Sequence, residues 1–253
     1  MTRLLCLSDI HGRFSKFPVD PSTWNKCQDR LPAADAVLIA GDFTNFGMAG
    51  RMPAHFQEVF NAEVWMKQLA ERYGYVFYVL GNHDLHMAAD FFEAQGPDVF
   101  SVDVSARAVT TKTRQFGPYR VTGINLSPCF NAPQLARDWT NMTARPEIDQ
   151  AAFDELPRAD IVVSHCPPVG TRDYAGKLWN GTNWVDQHIG SPGLRNYVHT
   201  FTPRLVVCGH VHEAVGVEYI KTQVGETCVV NTAQTATLVT IPAEGRVEAE
   251  IVA

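Results

Sequence analysis

Five short apolar runs do most to determine what this chain can fold into: Leu4–Leu7, Ala36–Ala40, Tyr75–Leu80, Ile161–Val163 and Leu205–Cys208. Each is dense in Val, Leu, Ile or aromatic residues without period-two alternation, the pattern of strands buried on both faces. Between the second and third runs, residues 53–73 carry Phe56, Val59, Phe60, Met66, Leu69 and Tyr73 at helical spacing, which predicts one amphipathic helix or two in sequence. Shorter helices are expected over Glu147–Leu156 and after Ser191-Pro-Gly, where Leu194, Tyr197, Val198 and Phe201 recur. Asp98–Val104 and Tyr119–Ile124 read as further strands. The tail reads as the strands Cys228–Val230, Thr237–Ile241 and Val247–Val252, whose close spacing favours antiparallel pairing. Phe14–Pro32 reads as loop. Together these pieces make a layered α/β fold of two mixed sheets packed face to face, with helices outside.

The chain has 253 residues, 45% of them hydrophobic and 19% charged, enough material for one large core, and no repeat or linker divides it. A single domain over residues 1–253 is the expectation. No run approaches the roughly 18 apolar residues of a membrane span, and a net charge of −6 argues against a long basic surface for nucleic acid. The first residues, MTRLLCLSD, hold too short an apolar run for a secretory leader and end in polar residues that matter below. The six cysteines form no C-x-x-C pair, so a reducing, cytoplasmic location is expected.

A second regularity is that every apolar run gives way to polar, ligand-type residues: Ser8-Asp9-Ile10-His11-Gly12, Gly41-Asp42, Gly81-Asn82-His83-Asp84, Ser164-His165 and Gly209-His210-Val211-His212. In α/β sheets the functional crevice lies beyond the carboxyl ends of the strands, so five separated segments converge there. Asp9, His11, Asp42, Asn82, His165, His210 and His212 supply two carboxylates, four imidazoles and one amide oxygen. Seven such donors exceed the needs of one ion and suit two that share a carboxylate, with positions left for water and substrate. No cysteine is in the set, which argues against a structural zinc site of thiolate type. Manganese, iron, zinc or another first-row metal fits the donor chemistry.

These elements, in this order, resemble the calcineurin-like metallophosphoesterase superfamily, whose pattern is D-x-H, G-D, G-N-H-D/E, a lone H and G-H-x-H. The resemblance runs from Asp9 to His212 and implies an α/β/β/α sandwich. It assigns Asp9, His11 and His212 to a first metal, Asn82, His165 and His210 to a second, and Asp42 to a bridge between them. The stretches His165–Asp173, Leu194–Val198 and Gly209–Gly216 are similar to the metallophosphoesterase-domain-containing subgroup, linked to phosphodiesterase activity, with Leu178–Gly190 reading as a longer loop.

A water or hydroxide held by two ions becomes a nucleophile at neutral pH and attacks phosphorus in line. His83, beside Asn82 but outside the ligand set, is expected to give a proton or hydrogen bond to the leaving oxygen. Asp84 either orients it or caps a following helix. The expected activity is hydrolysis of a small or cyclic-nucleotide-like phosphodiester. A phosphomonoesterase and a non-catalytic scaffold are the alternatives. Cys166 reads as a small buried residue. Tyr174, Trp179, Trp184 and Trp139, with Asn180 and Asn183, read either as a base-stacking platform or as packing, and Arg172 and Lys177 as phosphate contacts or solvated cations.

Overall fold

The structure is a computed structural model that describes residues 1–14, 31–45, 53–84, 99–102, 113–124, 127–128, 143–144, 150, 152–179 and 181–252. Its strands are β1 (Thr2–Leu7), β2 (Ala36–Ala40), β3 (Val76–Val79), β4 (Val99–Ser101), β5 (Arg114–Phe116), β6 (Tyr119–Ile124), β7 (Ser127–Pro128), β8 (Thr143–Ala144), β9 (Ile161–Ser164), β10 (Tyr174–Trp179), β11 (Trp184–His188), β12 (Leu205–Cys208), β13 (Gly216–Lys221), β14 (Glu226–Asn231), β15 (Ala236–Ile241) and β16 (Glu248–Ile251). One six-stranded sheet has the order β16-β15-β1-β2-β3-β4 and the other β13-β14-β12-β9-β6-β5. Neighbours from β1 to β4 are parallel, as are β14, β12, β9 and β6; β15, β16, β13 and β5 pair antiparallel at the margins.

Alternate residues of one strand explain the absence of alternation in the sequence. Leu4 and Cys6 of β1 enter an inter-sheet layer with Leu38, Phe77, Val163, Val207 and Val230. Leu5 and Leu7 turn the other way, onto Trp65, Met66, Leu69 and Tyr73 of the helix Pro53–Tyr73. The second sheet does the same, with Val162, Val206 and Val229 covered by Leu194, Tyr197 and Val198 of the helix Pro192–Phe201 and by Phe153 and Leu156. The layers are therefore helix, sheet, sheet, helix, as the sequence predicts. Removing a Leu side chain from such a layer costs about 2–5 kcal/mol.

The helix Pro192–Phe201 starts where sequence chemistry puts it: Ser191 Oγ accepts the Leu194 N–H at 2.9 Å, Pro192 opens the first turn, and Thr202 closes the last one in a left-handed conformation. The segment 53–73 is one helix rather than two. Of the expected helix Glu147–Leu156, residues 150 and 152–154 are helical, and 147–149 and 151 lie outside the described residues. Residues 15–30 of the expected loop and 103–104 of an expected strand also lie outside them. No helix among the described residues is long and apolar enough to cross a membrane.

Two expectations need correction. The strand at Cys228–Val230 runs parallel to β12 and antiparallel only to β13, a strand the sequence reading passed over. Its carboxyl end therefore reaches the same edge as those of β9 and β12. Leu178–Gly190 is not a plain loop. It lies largely within a two-stranded ribbon, β10–β11, that begins at Tyr174. Asp173 anchors the ribbon's base, accepting the Gly170 N–H at 2.9 Å and the Gly190 N–H at 3.3 Å, with His188 Nδ1 at 2.8 Å.

Candidate metal centre

Beyond the strand ends the β1–β2 pairing continues through the loops, with Asp9 N–H donating to Gly41 O (3.0 Å), His11 N–H to Asp42 O (2.9 Å) and Gly12 N–H to Phe43 O (2.8 Å). This close run is possible because Asp9, His11 and Asp42 sit in the left-handed region at φ 56°, 49° and 53°, as does His210 at 66°. Such a conformation costs a residue with a Cβ roughly 1–2 kcal/mol. Four of the seven named donors are held in it, and strain of this kind collects where side chains must be aimed.

Both carboxylates are buried and divide their oxygens in the same way. Asp9 Oδ2 is pinned by Ser8 Oγ–H (2.6 Å) and His210 N–H (3.0 Å), which leaves Oδ1 facing His212 Nε2 (2.9 Å) and His11 Nε2 (3.7 Å). Asp42 Oδ1 is pinned by His83 N–H (2.7 Å), and its Oδ2 faces His165 Nε2 (3.3 Å) and His83 Nε2 (3.9 Å). The glycines of the two motifs make this possible sterically. A Cβ at Gly209 would overlap Ser8 Oγ and Asp9 Oδ2, and one at Gly81 would overlap Asp42 Oδ1.

His165 tests whether a cation fits. Its Nδ1 lies 2.7 Å from the carbonyl of Ala40, an acceptor only, so that nitrogen carries the hydrogen. In the neutral ring Nε2 then presents a lone pair to Asn82 Oδ1 at 2.8 Å and Asp42 Oδ2 at 3.3 Å, two more acceptors. Three lone pairs at one point require a proton or a cation between them. Burial opposes charge on this ring, yet Asp42 and then Asp9 outweigh it and lift the ring to about 9. A proton thus takes the seat a metal ion would occupy, and Nδ1–H on a backbone carbonyl is the usual support of a metal-binding histidine. At His11 the same test gives the same answer: Nε2 is buried and makes no hydrogen bond among the described residues.

Electrostatics divide the histidines. Asp9 stays well below the usual carboxylate range, because the His11 and His212 imidazoles facing it overcome its burial. Burial, then the charge of His165, pushes His210 down to about 4, leaving it neutral and able to ligate. Burial also lowers His83, despite Asp42. Asp84 is buried, and burial followed by Asp42 pushes its carboxyl up to about 7.

The nine residues named from sequence come together. Donor atoms of Asp9, His11 and His212, of Asp9, Asp42 and His165, and of His11, Asp42 and His83 form three groups, each within 4.8 Å. Asn82 touches His165, and the His210 ring centroid lies 4.9 Å from that of His165. Asp84 Oδ1 accepts from Thr44 N–H (2.9 Å) and Thr44 Oγ1–H (2.8 Å), and Oδ2 accepts from Gly81 N–H (3.0 Å), so it fastens the loop after β2 to the loop after β3.

A model of the calcineurin-like phosphoesterase family matches residues 2–214. The chain belongs to this family.

Human and mouse metallophosphoesterase domain-containing protein 1 are each 25% identical to it over 236 residues, 85% of this chain and 62% of theirs. It thus spans less than two thirds of those relatives. In fold it is similar to the Thermus thermophilus protein TT1561, with a TM-score of 0.58 over 100% of this chain and 99% of that one at 16% identity. It is also similar to phosphopantetheinyl hydrolase from Mycobacterium tuberculosis, with a TM-score of 0.50, 91% and 88% coverage and 13% identity.

Several residues around this family motif escaped the sequence reading as partners: Ser8, Thr44, Asn45 and Gln234. Ser8, Thr44 and Asn45 stand in the stretches just after β1 and β2. Gln234 comes after β14, and the strand-end rule would have found it had β14 been read as parallel. Other candidates lie elsewhere. Arg172 donates to Val217 O at 2.7 Å and pairs with Glu218 at 3.5 Å, while Lys177 pairs with Asp186 at 3.9 Å. Cys166 is buried, with Sγ–H donating to Ile189 O at 3.2 Å. Trp184 and Tyr174 are exposed on the ribbon, whose strand β10 lies beside the turn His212–Ala214. Trp139 and Asn180 lie outside the described residues.

Proposed function

We propose that this chain is a two-metal phosphoesterase that hydrolyses a small phosphodiester of cyclic-nucleotide type. The observation that carries the reading is the meeting of His165 Nε2, Asn82 Oδ1 and Asp42 Oδ2, which in the neutral ring puts three lone pairs at one point that only a proton or a cation can join. Asp9, His11 and His212 would hold one ion, Asn82, His165 and His210 the other, and Asp42 both; manganese, iron and zinc suit these donors. When bound, such a pair acidifies a water and neutralises charge on the phosphoryl oxygens.

The protein's part is to aim and to protonate. Ser8, His210 N–H and His83 N–H hold the two carboxylates, so that one oxygen of each points inward. His83, with its Nε2 3.9 Å from Asp42, is at hand to donate to the departing oxygen, and Asp84 keeps His83 in place through Thr44 and Gly81. We read residues 1–253 as one domain, since the last strands β15 and β16 complete the sheet that begins with β1. A cytoplasmic location agrees with Cys6, Cys208 and Cys228 being free and buried.

The test is hydrolysis of bis(p-nitrophenyl) phosphate and p-nitrophenyl phosphate by metal-stripped protein reloaded with manganese, iron or zinc. Preference for the diester is expected. Preference for the monoester would make the chain a phosphomonoesterase, and inertness with every metal would make it a scaffold.

A further inference from the structure

The outer histidines of the first proposed ion site, His11 and His212, face Asp9 Oδ1 through Nε2, so the partners of their other nitrogens decide how they are aimed. His11 Nδ1 lies 3.0 Å from Asn45 Oδ1, while Asn45 Nδ2–H donates to His11 O at 2.9 Å. The amide thus clamps both the ring and the backbone of His11. Asn45 is itself fixed, its N–H donating to Glu58 Oε2 at 2.8 Å. His212 Nδ1 lies 3.0 Å from the side-chain amide of Gln234. Gln234 is delivered by a strained turn: its φ is 58°, and its N–H donates to Ser8 O at 3.0 Å, directly before Asp9.

We propose that Asn45 and Gln234 are positioning residues that orient His11 and His212 toward the first ion and select the ring form that can ligate. The inference rests on the two-ion reading above. His165, at the second site, takes this support from the Ala40 carbonyl, which no side-chain substitution can remove. The first site takes it from two amides. An imidazole that ligates through Nε2 must carry its hydrogen on Nδ1 and needs an acceptor there. Asn45 already presents Oδ1. Gln234 presents Nε2 to the metal-free ring, and half a turn of its amide places Oε1 at the same point. Gln234 therefore donates to Nδ1 without metal and accepts from it with metal.

The test is calorimetric titration of metal-stripped protein with manganese alone, in about 0.5 M salt so that remote charges are screened. The variants are Asn45→Leu and Gln234→Met, which keep shape and lose the hydrogen bond, and Asn45→Asp and Gln234→Glu, which keep an acceptor. Loss of a partner behind a metal-binding histidine typically weakens binding ten- to a hundredfold. The expected result is a loss of that size in one of two binding events for Leu and Met, the other event staying within about threefold, and recovery with Asp and Glu. Unchanged affinity, equal weakening of both events, or no recovery with the acidic variants overturns the inference. A wild type that binds two ions beside unaffected variants sinks this inference alone. A wild type with fewer than two events sinks the two-ion reading and the inference with it. Gln234 lies on the exposed rim, so its pair of variants decides the matter if Asn45→Leu does not fold.

Discussion

Replacing Gly209 with Ala is the sharpest test of how this centre is assembled. The added methyl group would fall on Ser8 Oγ and Asp9 Oδ2, both fully buried. Neither can move aside freely, because Ser8 Oγ also lies 3.1 Å from Ala40 O and Asp9 Oδ2 receives the His210 N–H. Gly209 is not in the left-handed region, so the effect is one of space and not of backbone preference. Breaking the Ser8–Asp9 hydrogen bond to a charged group costs about 1.5–3 kcal/mol, and overpacking adds about 1–3 kcal/mol. The sum, about 2.5–6 kcal/mol, is a large share of the 5–15 kcal/mol that holds a typical domain together. At about 2–4 °C per kcal/mol for a chain of this size, the melting temperature should fall by about 5–24 °C. Thermal melting of the metal-free protein reads this directly. Gly225→Ala is the control, since its Cβ meets only Thr202 Cγ2 at an ordinary 3.6 Å, and it should melt within about 2 °C of wild type. If Gly209→Ala also melts within that margin, close approach is not the reason for the glycine.

His83→Ala should reduce turnover about 10²- to 10⁴-fold while metal uptake stays unchanged; wild-type turnover would remove the proton-donor role. Burial of the Tyr197 hydroxyl, which donates to Pro157 O at 2.8 Å, pushes its pKa from 10.0 to about 12. Because the folded value is the higher one, its contribution is complete below pH 10 and is lost as the pH rises to 12, about 2–3 kcal/mol in all. Tyr197→Phe should lack that loss in denaturant titrations at pH 9 and pH 12, and an identical pH dependence in the two proteins would refute the assignment. Asp173→Ala leaves Gly170 N–H and Gly190 N–H without their acceptor, so amide exchange over the ribbon strands 174–179 and 184–188 should quicken about 5- to 150-fold, corresponding to roughly 1–3 kcal/mol of local stability. Unaltered exchange would show that the ribbon does not depend on this anchor.

The paired sheets were legible because burial on both faces imposes a composition. Val37, Ile39, Val207 and Val229 have no solvent side, and the apolar runs state this plainly. The residues now brought together were legible because each sits at a strand's carboxyl end, where parallel pairing aligns the ends. The features that escaped depended on pairing that local spacing does not encode. β14 looks like one strand of an antiparallel tail, yet it inserts between β12 and β13, and only that placement brings Gln234 to His212. The ribbon escaped for a related reason: residues 184–188 are exposed or half-buried, so no buried face gives them a strand pattern. Asn45 follows Asp42 and Thr44 in a loop, and nothing in its neighbours' spacing announces that it meets His11.

The most direct test of the central claim is diffraction from crystals of manganese-loaded protein, with the ions located by their anomalous signal. Two peaks are expected, both within coordinating distance of Asp42, one ringed by Asp9, His11 and His212 and the other by Asn82, His165 and His210. A single peak, or none at these residues, would contradict it.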